Sequence, residues 1–226
     1  MTLTYKAVQL ILVPFLKLFW RWRIIDLHKI PADGPVIIAA NHISYFDPLC
    51  HALCVNESGR IMRVFAKSEL WKNRLLRAIL KGAQMIPVDR GSGDAGPIAA
   101  AEGVLREGGL VMLYPESTLS KRPDLLPMQG KTGVARVALS TGAPVVPVAV
   151  WGSHWVVPPG AKFIKGIRKL IILKVGEPMR FDDLVGRQDD PDVRRDVTDR
   201  VMKELELLVR DIQDLHPRGA EVPERR

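Results

Sequence analysis

Short apolar runs separated by amphipathic segments constrain the fold of this chain more than any other feature. Val36–Ala40, Met62–Ala66, Gln84–Val88, Leu110–Tyr114, Val145–Val150 and Leu170–Val175 are five or six residues long and almost free of polar side chains. Runs this short and this uniformly apolar predict strands buried on both faces. Helices are predicted between them over Pro48–Val55, Ser68–Lys81, Pro97–Glu107 and Lys131–Ser140, each closed by Gly or Pro signals. Strands joined through helices give an α/β chain, a largely parallel or mixed sheet flanked by helices, with ligand sites outside the strands' carboxyl ends. The 226 residues match one domain at roughly 100–200 residues per domain. With 47% hydrophobic and 26% charged residues, a disordered or collagen-like chain is excluded.

The amino terminus departs from this pattern. Val8–Trp20 is apolar except for Gln9 and Lys17, with Pro14 in its middle, and it runs into Trp20-Arg21-Trp22-Arg23. As a helix it reaches about 20 Å, short of the roughly 30 Å hydrocarbon core of a bilayer. No small-residue cleavage site follows it, so it does not read as a secretory signal. Tryptophan at headgroup depth with arginine on lipid phosphates suits an interfacial helix lying in one leaflet; a core helix capped by a basic turn is the alternative. Residues 1–27 are therefore expected to form a membrane-associating segment and residues 28–190 the main domain. Residues 191–215 should be an amphipathic helix packed on that domain, because Val193, Val197, Val201, Leu205, Leu208 and Ile212 recur at spacings of three and four. Residues 216–226 are expected to form a disordered tail.

The net charge is +8, and it is unevenly placed: +12 over residues 1–175 against −4 over the remainder. The body thus favours an anionic partner. Nucleic acid is disfavoured, since aromatics are 6% of the chain and no aromatic-basic platform is apparent. Cys50 and Cys54, four apart, lack both disulfide geometry on a helix and the paired spacing of a zinc site, so they read as packing residues in a reducing compartment with no metal implied. No Gly-x-Ser-x-Gly elbow occurs, which disfavours a serine hydrolase.

Candidate chemistry starts where the first buried strand ends, in Asn41-His42-Ile43-Ser44-Tyr45-Phe46-Asp47-Pro48. Five residues along a regular helix turn a side chain by about 140°, so His42 and Asp47 meet only if the chain turns between them. Asp47-Pro48 also fits a helix start, with Asp47 as a cap. Spacing alone leaves both readings open. His28, His51, His154 and His216 have no matching carboxylate motif.

Four ordered blocks across about residues 34–155 resemble those of the lysophospholipid acyltransferases. Asn41 to Asp47 is similar to that family's catalytic Asn-His-x-Ser-x-x-Asp, and Gly82 to Arg90 to a block ending in an acceptor-binding arginine. Tyr114-Pro115-Glu116-Ser117-Thr118 resembles Phe-Pro-Glu-Gly-Thr, and Val145-Val146-Pro147-Val148 the fourth block. The third block departs from the family's Glu-Gly-Thr-Arg-Ser, with Ser117 for Gly and Leu119 for Arg; Lys121 and Arg122 follow as possible substitutes.

The resemblance implies transfer of a fatty acyl group from acyl-CoA or acyl carrier protein to a lysophospholipid hydroxyl, with 1-acyl-glycerol-3-phosphate the foremost acceptor and phosphatidic acid the product. Such a transfer needs a base for the attacking hydroxyl, a role suited to a neutral histidine, His42, with a carboxylate, Asp47, fixing its tautomer. Donors for the developing oxyanion are expected in the Pro115–Thr118 turn. Arg90, Glu116, Ser117, Thr118, Lys121 and Arg122 are the candidate acceptor and phosphate contacts, though Arg90 can equally pair with Asp89; Glu116 is read first as a contact to acceptor hydroxyls, an ordinary loop or cap carboxylate being the lesser alternative. No cofactor beyond the thioester co-substrate is expected. An anionic membrane surface is the expected partner and the cytoplasmic face of the cell membrane the expected location, peripheral or monotopic. Two alternatives remain at this point: the same transfer to a glycolipid or lyso-aminolipid, and a non-catalytic module that binds anionic membranes.

Overall fold

Val36–Ala40 forms strand β2, buried at every position, and the computed structural model, which describes residues 3–82, 85–88, 95–161 and 163–223, builds the sheet around it. Six strands run in the order β1-β8-β7-β2-β6-β3, where β1 is Arg21–Ile25, β3 Met62–Arg63, β6 Leu110–Leu113, β7 Val145–Trp151 and β8 Leu170–Val175. β2 is parallel to β6 on one side and to β7 on the other, in registers from Val36↔Leu110 and Ile37↔Val145. β3 continues the parallel ladder beside β6. β8 reverses against β7, and β1 is parallel to β8. The sheet is therefore mixed. Gly152 (φ +95°) closes β7, where a Cβ would lie 2.2 Å from the Leu170 carbonyl oxygen; only glycine permits this approach.

Alternation along β2 divides the core. Val36 and Ile38 face a cluster with helix α2 (Asp47–Glu57), Leu16 and Trp20, while Ile37 and Ala39 face helices α4 (Ala95–Arg106) and α5 (Gly133–Thr141). Helix α6 (Pro191–Leu215) serves both sides: Val197, Val201 and Leu205 enter the second cluster, and Leu208, Val209 and Ile212 the first. Asp190 caps it by accepting the Asp192 and Val193 N–H groups, with Pro191 at the first position.

Three segments differ from the sequence expectation. The strand predicted over Met62–Ala66 breaks at Val64, whose carbonyl accepts the Ile86 N–H (2.9 Å). Phe65–Lys67 (β4) then pairs with Ile86–Val88 (β5) in a separate two-stranded sheet, and helix α3 (Arg74–Gly82) follows a 3-10 turn at Ser68–Lys72. Arg21–Ile25, expected to lie at a membrane interface, is an edge strand, so the expected boundary at residue 27 falls after a strand of the main sheet. Residues 216–223, expected to be disordered, are docked: His216 Nε2 meets the Leu170 carbonyl at 3.2 Å, the Trp151 indole N–H donates to the Gly219 carbonyl, and the Arg218 guanidinium lies over the Trp155 ring. Partners remote in the chain, at Trp151, Trp155 and Leu170, hold this tail and are invisible to local composition.

Helix α1 (Leu3–Phe19) packs Leu16 into the first cluster and leaves Leu10, Ile11, Phe15, Leu18 and Phe19 exposed. Among the described residues no helix is long and apolar enough to cross a membrane.

Three histidines are buried within this fold, His51, His154 and His216, and desolvation lowers the pKa of each. His51 and His154 fall to about 4 from the ordinary 6.5. The unfolded chain therefore binds more protons between these values, and stability present above pH 6.5 is lost as the pH falls through 4, on the order of 3 kcal/mol for each of these two. Urea midpoints measured from pH 7 to 4 should fall with pH. His154→Leu should remove from that fall a contribution on the order of 3 kcal/mol; an unchanged slope would show that His154 does not carry it.

Candidate active site

The end of β2 is clamped before the motif begins. The Asn41 amide donates to the Val150 carbonyl (3.1 Å) and accepts the Val150 N–H (2.8 Å), binding the strand end to β7 where their ladder runs out. The chain then turns sharply through residues 42–46. Ser44 Oγ donates to the Val157 carbonyl (2.9 Å) and accepts the Phe46 N–H (3.1 Å).

That turn brings His42 and Asp47 together. One carboxylate oxygen of Asp47, Oδ2, meets three groups: the Ile43 N–H at 2.6 Å, the Ser44 N–H at 2.8 Å and His42 Nδ1 at 2.9 Å. Asp47 does not cap α2, whose N-cap is Phe46; its carboxylate reaches back to the turn instead. A carboxylate only accepts, so Nδ1 is the donor in this contact, and in the neutral tautomer that fits it Nε2 keeps the lone pair. The His42 side chain is 14% exposed and Asp47 fully buried, and Nε2 is the ring nitrogen that Asp47 does not engage, at the carboxyl end of a central parallel strand.

The Tyr114 ring stacks on the imidazole, with centroids 4.1 Å apart and planes 18° from parallel. Its hydroxyl shares a 3.2 Å hydrogen bond with His51 Nδ1, and burial pushes the phenol well above its ordinary value, so it remains protonated. This pair was not singled out in the sequence. No local signal marks it, because the two residues lie 63 apart in the chain.

A second turn after β6 holds the histidine backbone. Glu116, buried, accepts the His42 N–H on Oε1 (3.2 Å) and the Met128 N–H on Oε2 (3.0 Å), while the Ser120 N–H donates to the His42 carbonyl (2.7 Å). Burial raises the Glu116 pKa. Any acceptor hydroxyl expected on Glu116 must share oxygens already engaged by backbone. Pro115 has no N–H and the Ser117 N–H donates to the Tyr114 carbonyl (2.9 Å), leaving Glu116 and Thr118 as the turn's N–H candidates for an oxyanion. Ser117 has φ +58°, the left-handed conformation that suits the glycine usual in the resembled block.

The cationic candidates are less gathered. Ser117, Thr118, Lys121 and Arg122 are exposed, and Arg122 makes a two-pronged pair with Asp124 (2.9 and 2.8 Å). Arg90 and its neighbour Asp89 lie outside the described residues. Among the described residues no group of three or more His, Cys, Asp or Glu side chains is arranged to hold a metal ion.

A 1-acyl-sn-glycerol-3-phosphate acyltransferase of Bacillus subtilis is 31% identical over 163 residues, covering 71% of this chain and 75% of the relative. A chloroplastic 1-acyl-sn-glycerol-3-phosphate acyltransferase of Brassica napus is 24% identical over 149 residues, 65% of this chain and 42% of the relative. The crystal structure of the 1-acyl-sn-glycerophosphate acyltransferase of Thermotoga maritima shares the fold, with a TM-score of 0.67, 24% identity, and coverage of 89% of this chain and 79% of that one. The family model described as Acyltransferase matches residues 21–151, from the first residue of β1 to the last of β7. Because that match takes in both turns that hold His42, the chain belongs to the acyltransferase family.

Proposed function

We propose that the protein transfers a fatty acyl group from an acyl-CoA or acyl carrier protein thioester to the free hydroxyl of 1-acyl-glycerol-3-phosphate, forming phosphatidic acid. The observation that carries this reading is the 2.9 Å contact between His42 Nδ1 and the buried Asp47 carboxylate, within a chain similar to enzymes named for that acceptor. His42 Nε2 takes the hydroxyl proton as the oxygen attacks the thioester carbonyl. The carbonyl electron pair becomes an oxyanion, for which the N–H groups of Glu116 and Thr118 are the candidate donors. Collapse breaks the carbon–sulfur bond, and the proton held by His42 passes to the departing sulfur. Asp47 keeps the imidazole in the working tautomer and stabilises the imidazolium. No serine nucleophile enters, because the acceptor hydroxyl takes that place.

The acceptor and the location complete the proposal. Arg90 is the phosphate clamp on the strength of its block, with Lys121 and Arg122 as lesser contacts, Arg122 exchanging Asp124 for phosphate. The exposed apolar residues of α1 and the basic body support a peripheral or monotopic position on the cytoplasmic face of the cell membrane. Leu119 and the Arg122–Asp124 pair favour a second reading, the same transfer to a glycolipid or lyso-aminolipid. Purified protein given labelled acyl-CoA and a panel of lysolipids, with products read by mass, separates the two. Arg90→Ala is expected to raise KM for lysophosphatidic acid by roughly tenfold to a hundredfold with little change for the donor. Equal use of a phosphate-free lysolipid by the wild type would select the second reading.

A further inference from the structure

Between Pro159 and Leu170 the connection from β7 to β8 exposes large apolar side chains, Phe163 (79%), Ile164 and Ile167 (61%), interspersed with Lys165, Arg168 and Lys169. No acidic residue occurs in the sequence between Asp124 and Glu177. Exposed apolar side chains alternating with cations and no acid are complementary to a surface that is apolar below and anionic above.

This loop is fixed in place. The Trp20 indole N–H donates to the Gly166 carbonyl (2.8 Å), the Arg168 N–H to the Phe19 carbonyl (2.7 Å) and the Arg21 N–H to the Lys169 carbonyl (3.0 Å). A Cβ on Gly166 would lie 2.3 Å from the Trp155 carbonyl oxygen, so the close return of the chain there requires glycine. The exposed residues of the loop thus adjoin the exposed end of α1 at Phe19. Its base is tied to the reactive turn as well: the Lys165 and Gly166 N–H groups donate to the Val156 carbonyl, and Val157 next to it accepts Ser44 Oγ. Tyr45, 63% exposed, stands in that same turn, between His42 and Asp47.

We infer that residues 163–168 are a second membrane-contact element, which enters an anionic bilayer beside α1 and sets the His42 turn against the lipid surface. A single amphipathic helix leaves a protein free to roll about its axis. A second contact beside it removes that freedom and fixes the height of the site. The inference rests on the membrane-associated acyltransferase reading above, and the two fail separately in the following experiment.

Phe163→Cys is labelled with an environment-sensitive fluorophore; Cys50 and Cys54 are buried, and burial raises both thiols, Cys54 to about 12, so labelling is selective. With phosphatidylcholine vesicles containing phosphatidylglycerol, the emission should shift to the blue and be quenched by spin-labelled lipid, and less so with phosphatidylcholine alone. The combined variant Phe163→Ser/Ile164→Ser/Ile167→Ser should partition onto the anionic vesicles about tenfold more weakly with an unchanged melting temperature. Unchanged emission on vesicles that do sediment the protein overturns the inference, as does a protein that fails to sediment with them at all. Absence of acyl transfer to any lysolipid in detergent micelles would overturn the enzymatic reading alone.

Discussion

His42→Ala is expected to lower kcat for acyl transfer by about 10²–10⁴-fold, the range over which a positioned base accelerates proton transfer. The other side-chain candidates do not replace it. His51 is buried, held low by desolvation and bonded to Tyr114, and Glu116 has both oxygens on backbone N–H groups. The fold should survive, because the strand end is clamped through Asn41 and the His42 backbone through Glu116 and Ser120, none of which uses the imidazole. The check is kcat together with thermal melting. A purified, folded variant that turns over like the wild type would remove His42 from the mechanism.

The parts of this site legible in the sequence were those whose signal is local. Leu170–Val175 and Pro191–Leu215 have the bounds read from them, one because a strand with its middle buried on both faces is a continuous apolar run, the other because its buried stripe repeats at helical spacing. β1 was missed because Arg-Trp-Arg reads as an interfacial pattern unless the edge it covers is known, and that edge, β8, lies some 150 residues away in the chain. The strand over Met62–Ala66 divides for a similar reason, since Val64 turns its carbonyl to Ile86. In the site, the spacing of His42 and Asp47 was visible but not which way the carboxylate faces. That direction is set by the turn, and the turn is held by bonds to Val150, Val157, Glu116 and Ser120, all remote in sequence. The same holds for the Tyr114–His51 pair, 63 residues apart in the chain; the Arg122–Asp124 pair is local, and it changes what is asked of Arg122 as a phosphate contact.

Asp47 has two separable roles, shaping the turn and orienting His42, because asparagine and alanine remove different things. Asp47→Asn keeps an oxygen that can accept the Ile43 and Ser44 N–H groups, now 2.6 and 2.8 Å from Oδ2, so the turn should persist with a loss of about 1–2 kcal/mol. What it loses is the negative charge beside Nδ1, and with it the support for imidazolium and the fixed tautomer; kcat should drop by about 10²–10⁴-fold. Asp47→Ala removes the acceptor as well. The Ile43 and Ser44 N–H groups are then buried without partners, each at about 1–3 kcal/mol, partly offset by no longer holding a charge in a site with no solvent exposure. Urea denaturation should therefore place alanine several kcal/mol below wild type and asparagine close to it, while both variants are nearly inactive. Should asparagine retain full turnover, Asp47 serves only to shape the turn. Should the two variants be equally stable, the backbone bonds to Oδ2 contribute little, and the arrangement of His42 must be owed to the clamps at Asn41 and Glu116 instead.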